Sequence, residues 1–575
     1  MHELVIRGGV VVDGTGAAAR RADVAIDGDR ISAVGDLAER GRTEIDADGL
    51  HVMPGFVDIH THYDGQATWD PELAPSSIHG VTTVLMGNCG VGFAPAAPDR
   101  HDWLIGLLEG VEDIPGTALH EGLQWDWESF PEYLDALDRR ARAVDVGALI
   151  AHNPLRTYVM GIRGADPQES PTEGELATMH RLVREGLAAG AMGFSTSRTR
   201  FHRTRDGHLL GTKEAGEIEL VALVEALREA GTGTVQLISD LYQDHDPDVT
   251  ASELRLVTEI GRAAGRPLSM TVQQPLSLPD RWRQILDHCQ AAQAEGVDLK
   301  GQVACRPIGV LLGLESTLNP FMICRAYQEI AGLPLADRLV AMQDSERRAR
   351  IIAEHEDIPA GIVEEIAKSY HLMFRMTDPV DYEPDPAASV GAEAATRNVP
   401  PAELLYDVLQ EEGGKRLLYL PLFNYAHGNL DDTGAMLRHS RTVLGLSDAG
   451  AHCGFISDGS QPTTLVQLWG RDRADGLGLE RAVHLMTQGT AWHVGWRDRG
   501  VLAPGYLADL NLVELEALGA APPHLVHDLP AGGRRLVQGA HGYRRTVKRG
   551  VTTFVDGQAT GDLPGRLVRG ETQPA

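Results

Sequence analysis

Met53-Pro54-Gly55-Phe56-Val57-Asp58-Ile59-His60-Thr61-His62 is the stretch on which the fold turns. Gly55 to Ile59 is apolar apart from Asp58, reads as a short buried strand, and runs into two histidines. Residues i and i+2 of a strand face the same way, so both imidazoles point to one side at its carboxyl end. Two neutral imidazoles on one face supply a first pair of ligands for a zinc-type ion. Two histidines also fall at a strand end by chance, so the reading depends on what else reaches the same place.

Downstream, short apolar runs alternate with amphipathic helical stretches, the pattern of βα units and a parallel sheet. Val81 to Met86, Asp145 to Ile150, Thr234 to Ser239, Leu268 to Val272, Leu417 to Leu422 and Thr442 to Leu446 are strand candidates. Glu173 to Ala189, Glu214 to Glu229, Ala251 to Ala264 and Asp280 to Ala294 carry apolar residues at helical spacing. The fold class expected is α/β, a (β/α)₈ TIM-like barrel over residues 53–496. Its surplus length is assigned to a helical insertion or lid over 311–402, Pro-rich and acidic around Asp378 to Pro386. Both chain ends read as β, with turns at Asp13-Gly14, Asp27-Gly28 and Asp556-Gly557. Residues 1–52 and 497–575 are therefore expected to build one small β-sandwich domain together.

Composition narrows the function classes. The 575 residues are 43% hydrophobic and carry a net charge of −29, against a nucleic-acid or anionic-membrane partner. No apolar run reaches the length of a membrane span, and Met1 to Arg7 lacks a signal peptide's apolar stretch. Cys89, Cys289, Cys305, Cys324 and Cys453 are odd in number and widely spaced, as expected of reduced thiols in a cytoplasmic protein. A small-molecule substrate and a homo-oligomer are the partners expected.

A barrel builds its active site at the carboxyl ends of its strands. His60 and His62 fill that place on the first strand. Gly87-Asn88-Cys89-Gly90 puts a thiol at the rim of the second, and Ser447-Asp448 puts a carboxylate at the rim of the last. A free cysteine is ordinarily a small core residue and an aspartate ordinarily a loop cap. Three rims each offering a metal-competent group outweigh those separate explanations.

These motifs resemble a known family. Pro54 to His62 is similar to the metal signature of the amidohydrolase superfamily, and Gly87-Asn88-Cys89-Gly90 to the corresponding motif of the N-acyl-D-amino-acid deacylases (D-aminoacylases). The resemblance implies that Cys89 takes the bridging place a carboxylated lysine holds in many relatives, and that Asp448 is the general base. Arg499 to Leu510 resembles the superfamily's return from barrel to β-sandwich. The resemblance also implies histidines after the fifth and sixth strands, where this chain has Ser239-Asp240 and Gln273-Gln274. Three arrangements make good that loss. Asp240 ligates through oxygen, or His452 swings in from the last loop, or one metal is held by His60, His62 and Cys89 with Asp448 beside it. The third needs the fewest assumptions and leaves a position open for water.

Substrate recognition is read from rim segments. Ala151-His152-Asn153-Pro154-Leu155-Arg156 resembles the family's His-x-x-x-Arg segment, so His152 and Arg156 are candidates to hold a carboxylate. Arg198, in a second such segment, and Arg306 join them. The expectation is a hydrolase of carbon–nitrogen bonds other than peptide bonds, using one or two Zn²⁺-type ions to deacylate an N-acyl-D-amino acid or related N-acyl compound. An amidohydrolase acting on a cyclic amide or lactone, and a metal-free non-catalytic scaffold, are the alternatives.

Overall fold

The computed structural model describes residues 1–570. Eight parallel strands form the barrel: Phe56–Asp58, Val81–Met86, Asp145–Ala148 continued by Ile150–Ala151, Gly193–Arg198, Thr234–Ser239, Leu268–Thr271, Leu299–Val303 and Thr442–Leu444. The last meets the first just past their ends, where Thr61 bridges Ala449 in parallel and His62 N donates to Ala449 O at 2.8 Å. Closure thus falls on the residues that carry the metal candidates. The strands were legible because they are buried on both faces and read as apolar runs. The fourth and seventh escaped, since Gly-Phe-Ser-Thr-Ser-Arg is mostly hydroxyl-bearing and Leu-Lys-Gly-Gln-Val carries Lys300 and Gln302 where an apolar run is looked for.

Helix Glu173–Ala189 shows how the outer layer is specified. Thr172 Oγ1 accepts from Glu175 N at 3.3 Å while the Glu175 carboxylate accepts from Thr172 N at 2.8 Å, a reciprocal cap worth about 1 kcal/mol. Met179, Val183 and Leu187 recur every four residues and are fully buried. Each stabilises the wall by about 1.5–3 kcal/mol. Gly190, at φ +107°, ends the helix.

Both chain ends build one nine-stranded sheet. His51–Pro54 lies between His2–Val11 and Leu510–Val513, the latter pairing it antiparallel as Leu510 with Pro54 and Val513 with His51. Leu4, Ile6, Val24, Ile26, Val52, Leu510, Leu512 and Val547 make its core. Sheet and barrel are bolted together at Asp145, the first residue of the third strand. Burial alone would raise its carboxyl, but Lys548, Arg499 and Arg549, each 2.9 Å away, hold it well below the usual range.

The insertion lies between the seventh and eighth strands and is more than helical. Ile308–Leu312, Phe374–Arg375 and Leu418–Phe423 form an antiparallel sheet inside it, over a core that includes Phe321, Tyr327, Ile351 and Tyr406. Leu417 to Leu422, expected in the barrel, therefore belongs to the insertion. An apolar run reports burial, not which sheet buries it. Among the described residues, no helix is long and apolar enough to cross a membrane.

Candidate metal centre

The first strand stops at Asp58, and alternation carries on through the next four residues. Thr61 turns to the second strand, where its N–H and its hydroxyl both donate to Leu85 O, at 3.1 and 2.9 Å. His60 and His62 consequently share the other side, with ring centroids 5.6 Å apart. Both are buried. Asp58 pins the strand end, accepting from His60 N at 3.1 Å and from the Ser447 hydroxyl, which also donates to His60 O.

Cys89 arrives on a turn its neighbours dictate. A Cβ at Gly87 would lie 2.4 Å from Leu149 O, and one at Gly90 2.9 Å from Thr196 Cα. Both glycines also have positive φ. Cys89 itself is held at φ +54°, with its N–H donating to Gln236 Oε1 at 2.6 Å and the Asn88 amide donating to Leu85 O and Thr61 O. The last loop is strained in the same sense, with Leu446, Asp448 and His452 at φ +63°, +46° and +51°. Such backbone persists where surrounding structure over-determines it, commonly at functional sites.

Ligand atoms of His60, His62 and Cys89 all lie within 4.8 Å of one another. Cys89 Sγ is 3.3 Å from His60 Nε2, and Asp448 Oδ1 is 3.1 Å from His60 Nε2 and 3.4 Å from His62 Nε2. Donors held tetrahedrally at about 2.0–2.3 Å from an ion stand about 3.3–3.8 Å apart, so this set fits a zinc-type ion. The electrostatics agree. Burial alone would lower both imidazoles. Cys89 and Asp448 instead raise His60 to about 10, and Glu112, Asp448 and Cys89 raise His62 well above its usual value. Asp448 is held far below the usual carboxylate range by the same two histidines, against its own burial. Anionic donors thus gather around a place that calls for positive charge.

Support comes from residues the sequence reading did not single out. Gln302, on the seventh strand, takes His60 Nδ1 at 2.6 Å on its Oε1, while its Nε2 donates to Ser269 Oγ at 3.0 Å. The chain holds the Nδ1 proton, so Nε2 is the nitrogen that would give its lone pair to a metal. Glu112, closing helix His101–Glu112, lies 3.3 Å from His62 Nδ1, off the line of a hydrogen bond. Half-buried His202 is pushed down to about 3 by burial and by the charges of His452, His62 and His60, so it stands neutral by the centre. Gln236 has Oε1 committed to Cys89 N, which leaves its buried Nε2 without a protein partner. Thr271 Oγ1, on the next strand, is likewise unpartnered. No sequence pattern flags a glutamine on a strand or a glutamate ending a helix.

The remaining candidates are placed differently. Asp240 accepts from Thr199 Oγ1 at 2.6 Å, Arg200 N at 3.0 Å and Gln243 Nε2 at 3.1 Å, so its oxygens are taken by its own loops. His452 lies 3.8 Å from Glu112 Oε2 with Nδ1 unpartnered, beside the centre but outside the three-residue group. His152 and Arg156 are fully buried and share Glu219 Oε1, at 3.0 and 2.9 Å. Arg198 is forked onto Glu253, and Arg306 is paired with Asp458 at 2.9 Å under the Tyr382 ring. A buried guanidinium needs a countercharge, and these three arginines take theirs from the protein, where a substrate carboxylate was expected to supply it.

Comparison with known proteins accords with this geometry. The sequence profile of the amidohydrolase family matches residues 43–554. An uncharacterized protein of Mycobacterium bovis is 30% identical across 96% of this chain and 90% of its own length. A D-aminoacylase of Alcaligenes xylosoxydans xylosoxydans is 38% identical over 195 residues, 34% of this chain and 37% of that enzyme. In fold, the crystal structure of a D-aminoacylase superposes with a TM-score of 0.65 at 24% identity, covering 99% of this chain and 100% of that one. An N-acyl-D-glutamate deacylase from Bordetella bronchiseptica, solved with zinc and a phosphonate mimic of the tetrahedral intermediate, gives 0.63 at 24%, covering 99% of each chain. With the profile spanning most of the sequence, the chain belongs to the amidohydrolase family, hydrolases of carbon–nitrogen bonds other than peptide bonds.

Proposed function

We propose that the chain is a metal-dependent amide hydrolase that deacylates an N-acyl-D-amino acid or a closely related N-acyl compound. The observation that carries this reading is the convergence of His60, His62 and Cys89 from two strand ends into one cluster of ligand atoms, with Asp448 from a third within 3.4 Å of both histidines. The D-aminoacylase and N-acyl-D-glutamate deacylase likenesses support the substrate class.

The donors proposed are His60, His62 and Cys89, which would leave a position for water, with Asp448 beside them. A Zn²⁺ ion held there supplies Lewis-acid chemistry, activating water and polarising the scissile carbonyl. Asp448 is the one of the four with appreciable exposure, its side chain 18% accessible, so it faces the incoming substrate. Its carboxylate accepts a proton as water adds to the acyl carbon, then delivers that proton to the amide nitrogen as the C–N bond breaks. A carboxylic acid and a free amine leave. Gln302 keeps His60 in the binding tautomer throughout. Gln236 Nε2 offers a neutral donor to a substrate oxygen.

Two measurements on one preparation test this. Elemental analysis of protein purified without added metal or chelator is expected to find about one zinc per chain. A panel of N-acyl-D-amino acids, their L enantiomers, cyclic amides and lactones is expected to show turnover of the D series. Turnover confined to cyclic substrates would move the bond broken. A chain that takes up no metal when zinc is offered would remove the reading altogether.

A further inference from the structure

The barrel's other end carries a second built cavity. It holds ≈ 590 Å³ and lies where the fourth, fifth and sixth strands begin, beside Met192, the Gly231–Gly233 turn and Arg266-Pro267. Its remaining wall is the end of helix Gln488–His493 and the loop to Arg499. Six-residue strands separate it from the metal donors by roughly 20 Å.

Five arginines line it, in a chain whose net charge is −29. Arg499 and Arg569 are answered by Asp145 and Asp135. Arg30, Arg266 and Arg497 have no carboxylate at ion-pair distance among the described residues. Arg266 donates only to Gly233 O, at 3.2 Å, and burial alone pushes its guanidinium down. Arg497 is spread over the Trp492 ring, 4.9 Å from its centroid. The lining carboxylate, Asp498, is 3.0 Å from Arg499 and already engaged.

Two buried aromatic residues stand in its wall. His493 is 4% exposed and neither ring nitrogen makes a hydrogen bond, and Trp496, 5% exposed, leaves its indole N–H unmet.

We propose that this cavity is an anion-binding site for a small phosphate-bearing molecule. Guanidinium forks match phosphate oxygens, and several diverging ones suit an anion with many oxygens better than one carboxylate. The volume exceeds what one phosphate fills and lies in the range of small-ligand sites. Ligand seated there ties the Gln488–His493 segment to the strand ends and stabilises the folded chain by mass action.

The test is calorimetric titration of metal-loaded, full-length protein with inorganic phosphate and with pyrophosphate, at fixed ionic strength, with metal content checked afterwards. One saturable site per chain is expected, with a raised melting temperature and unchanged hydrolysis. The double variant Arg266→Gln/Arg497→Gln is expected to weaken binding at least tenfold while keeping metal and activity. Should that variant fail to fold, Arg497→Gln alone decides, since Arg497 covers only an exposed ring, and at least a threefold loss is expected. No saturable binding, binding untouched by the variants, or binding that inhibits hydrolysis competitively would each overturn the proposal, the last by placing the anion at the metal centre.

Discussion

The rim of this barrel has two arcs built from opposite chemistry. On the first, second and eighth strands it carries imidazoles, a thiol and a carboxylate at 3.1 to 3.4 Å spacing. On the fifth, sixth and seventh it carries Gln236, Ser269, Thr271 and Gln302, neutral amides and hydroxyls. The two arcs touch through two hydrogen bonds of 2.6 Å, Gln236 to Cys89 N and Gln302 to His60. The neutral arc thus orients the ligand arc without adding a ligand.

The largest break in that contrast is expected from Asp448→Asn. It removes the proton carrier but leaves three donors, so kcat should fall on the order of 10²–10⁴-fold with KM little changed. Metal content measured on the same sample should stay near that of the parent. Retained turnover would show that another group moves the proton.

Next in size is Gln302→Leu, which strips His60 of its tautomer-setting partner. Metal affinity is expected to drop about 10–100-fold in competition with a chromophoric chelator. Gln236→Leu should leave affinity near that of the parent and lower kcat about tenfold, because its free Nε2 faces substrate. If it is Gln236→Leu that sheds metal, the division between arcs is drawn in the wrong place.

A subtler effect follows from charge. In metal-free protein His60 is raised to about 10 against 6.5 unfolded, so its contribution to stability is fully present below pH 6.5 and lost as pH rises through 10. Thermal melts of metal-free chain should decline across that window, and zinc should flatten the decline by replacing the protons. Asp240→Asn should alter neither metal content nor the slope, since its oxygens are engaged by Thr199, Arg200 and Gln243.

The arc of imidazoles, thiol and carboxylate was legible in the sequence and the neutral arc was not. His60-Thr61-His62, Gly87-Asn88-Cys89-Gly90 and Ser447-Asp448 combine uncommon residue types with positions just past apolar runs. Gln236 and Gln302 are ordinary strand residues whose roles appear only when the closed barrel brings one side chain to Cys89 and the other to His60. The arginines illustrate the converse. Arg156, Arg198 and Arg306 sit on rim segments, but Glu219, Glu253 and Asp458, distant in sequence, claim their guanidinium groups. Most barrel strands were visible as apolar runs, and the terminal sheet as a texture shared by both ends. The insertion's sheet was not, because Leu417 to Leu422 looks the same whichever sheet buries it.

The pairing of His51–Pro54 with Leu510–Val513 also bears on how the chain comes into being. About 450 residues separate the two strands, so during synthesis the early half of the sheet waits for its neighbour. At about 5–20 residues per second that wait is roughly 20 to 90 seconds. Throughout it, one edge of His51–Pro54 stays unpaired, immediately ahead of the strand that delivers His60 and His62. Nascent chains of this protein are therefore expected to depend on chaperones that shield strand edges, and slowed translation should lower soluble yield more than it lowers the activity of the molecules that do fold.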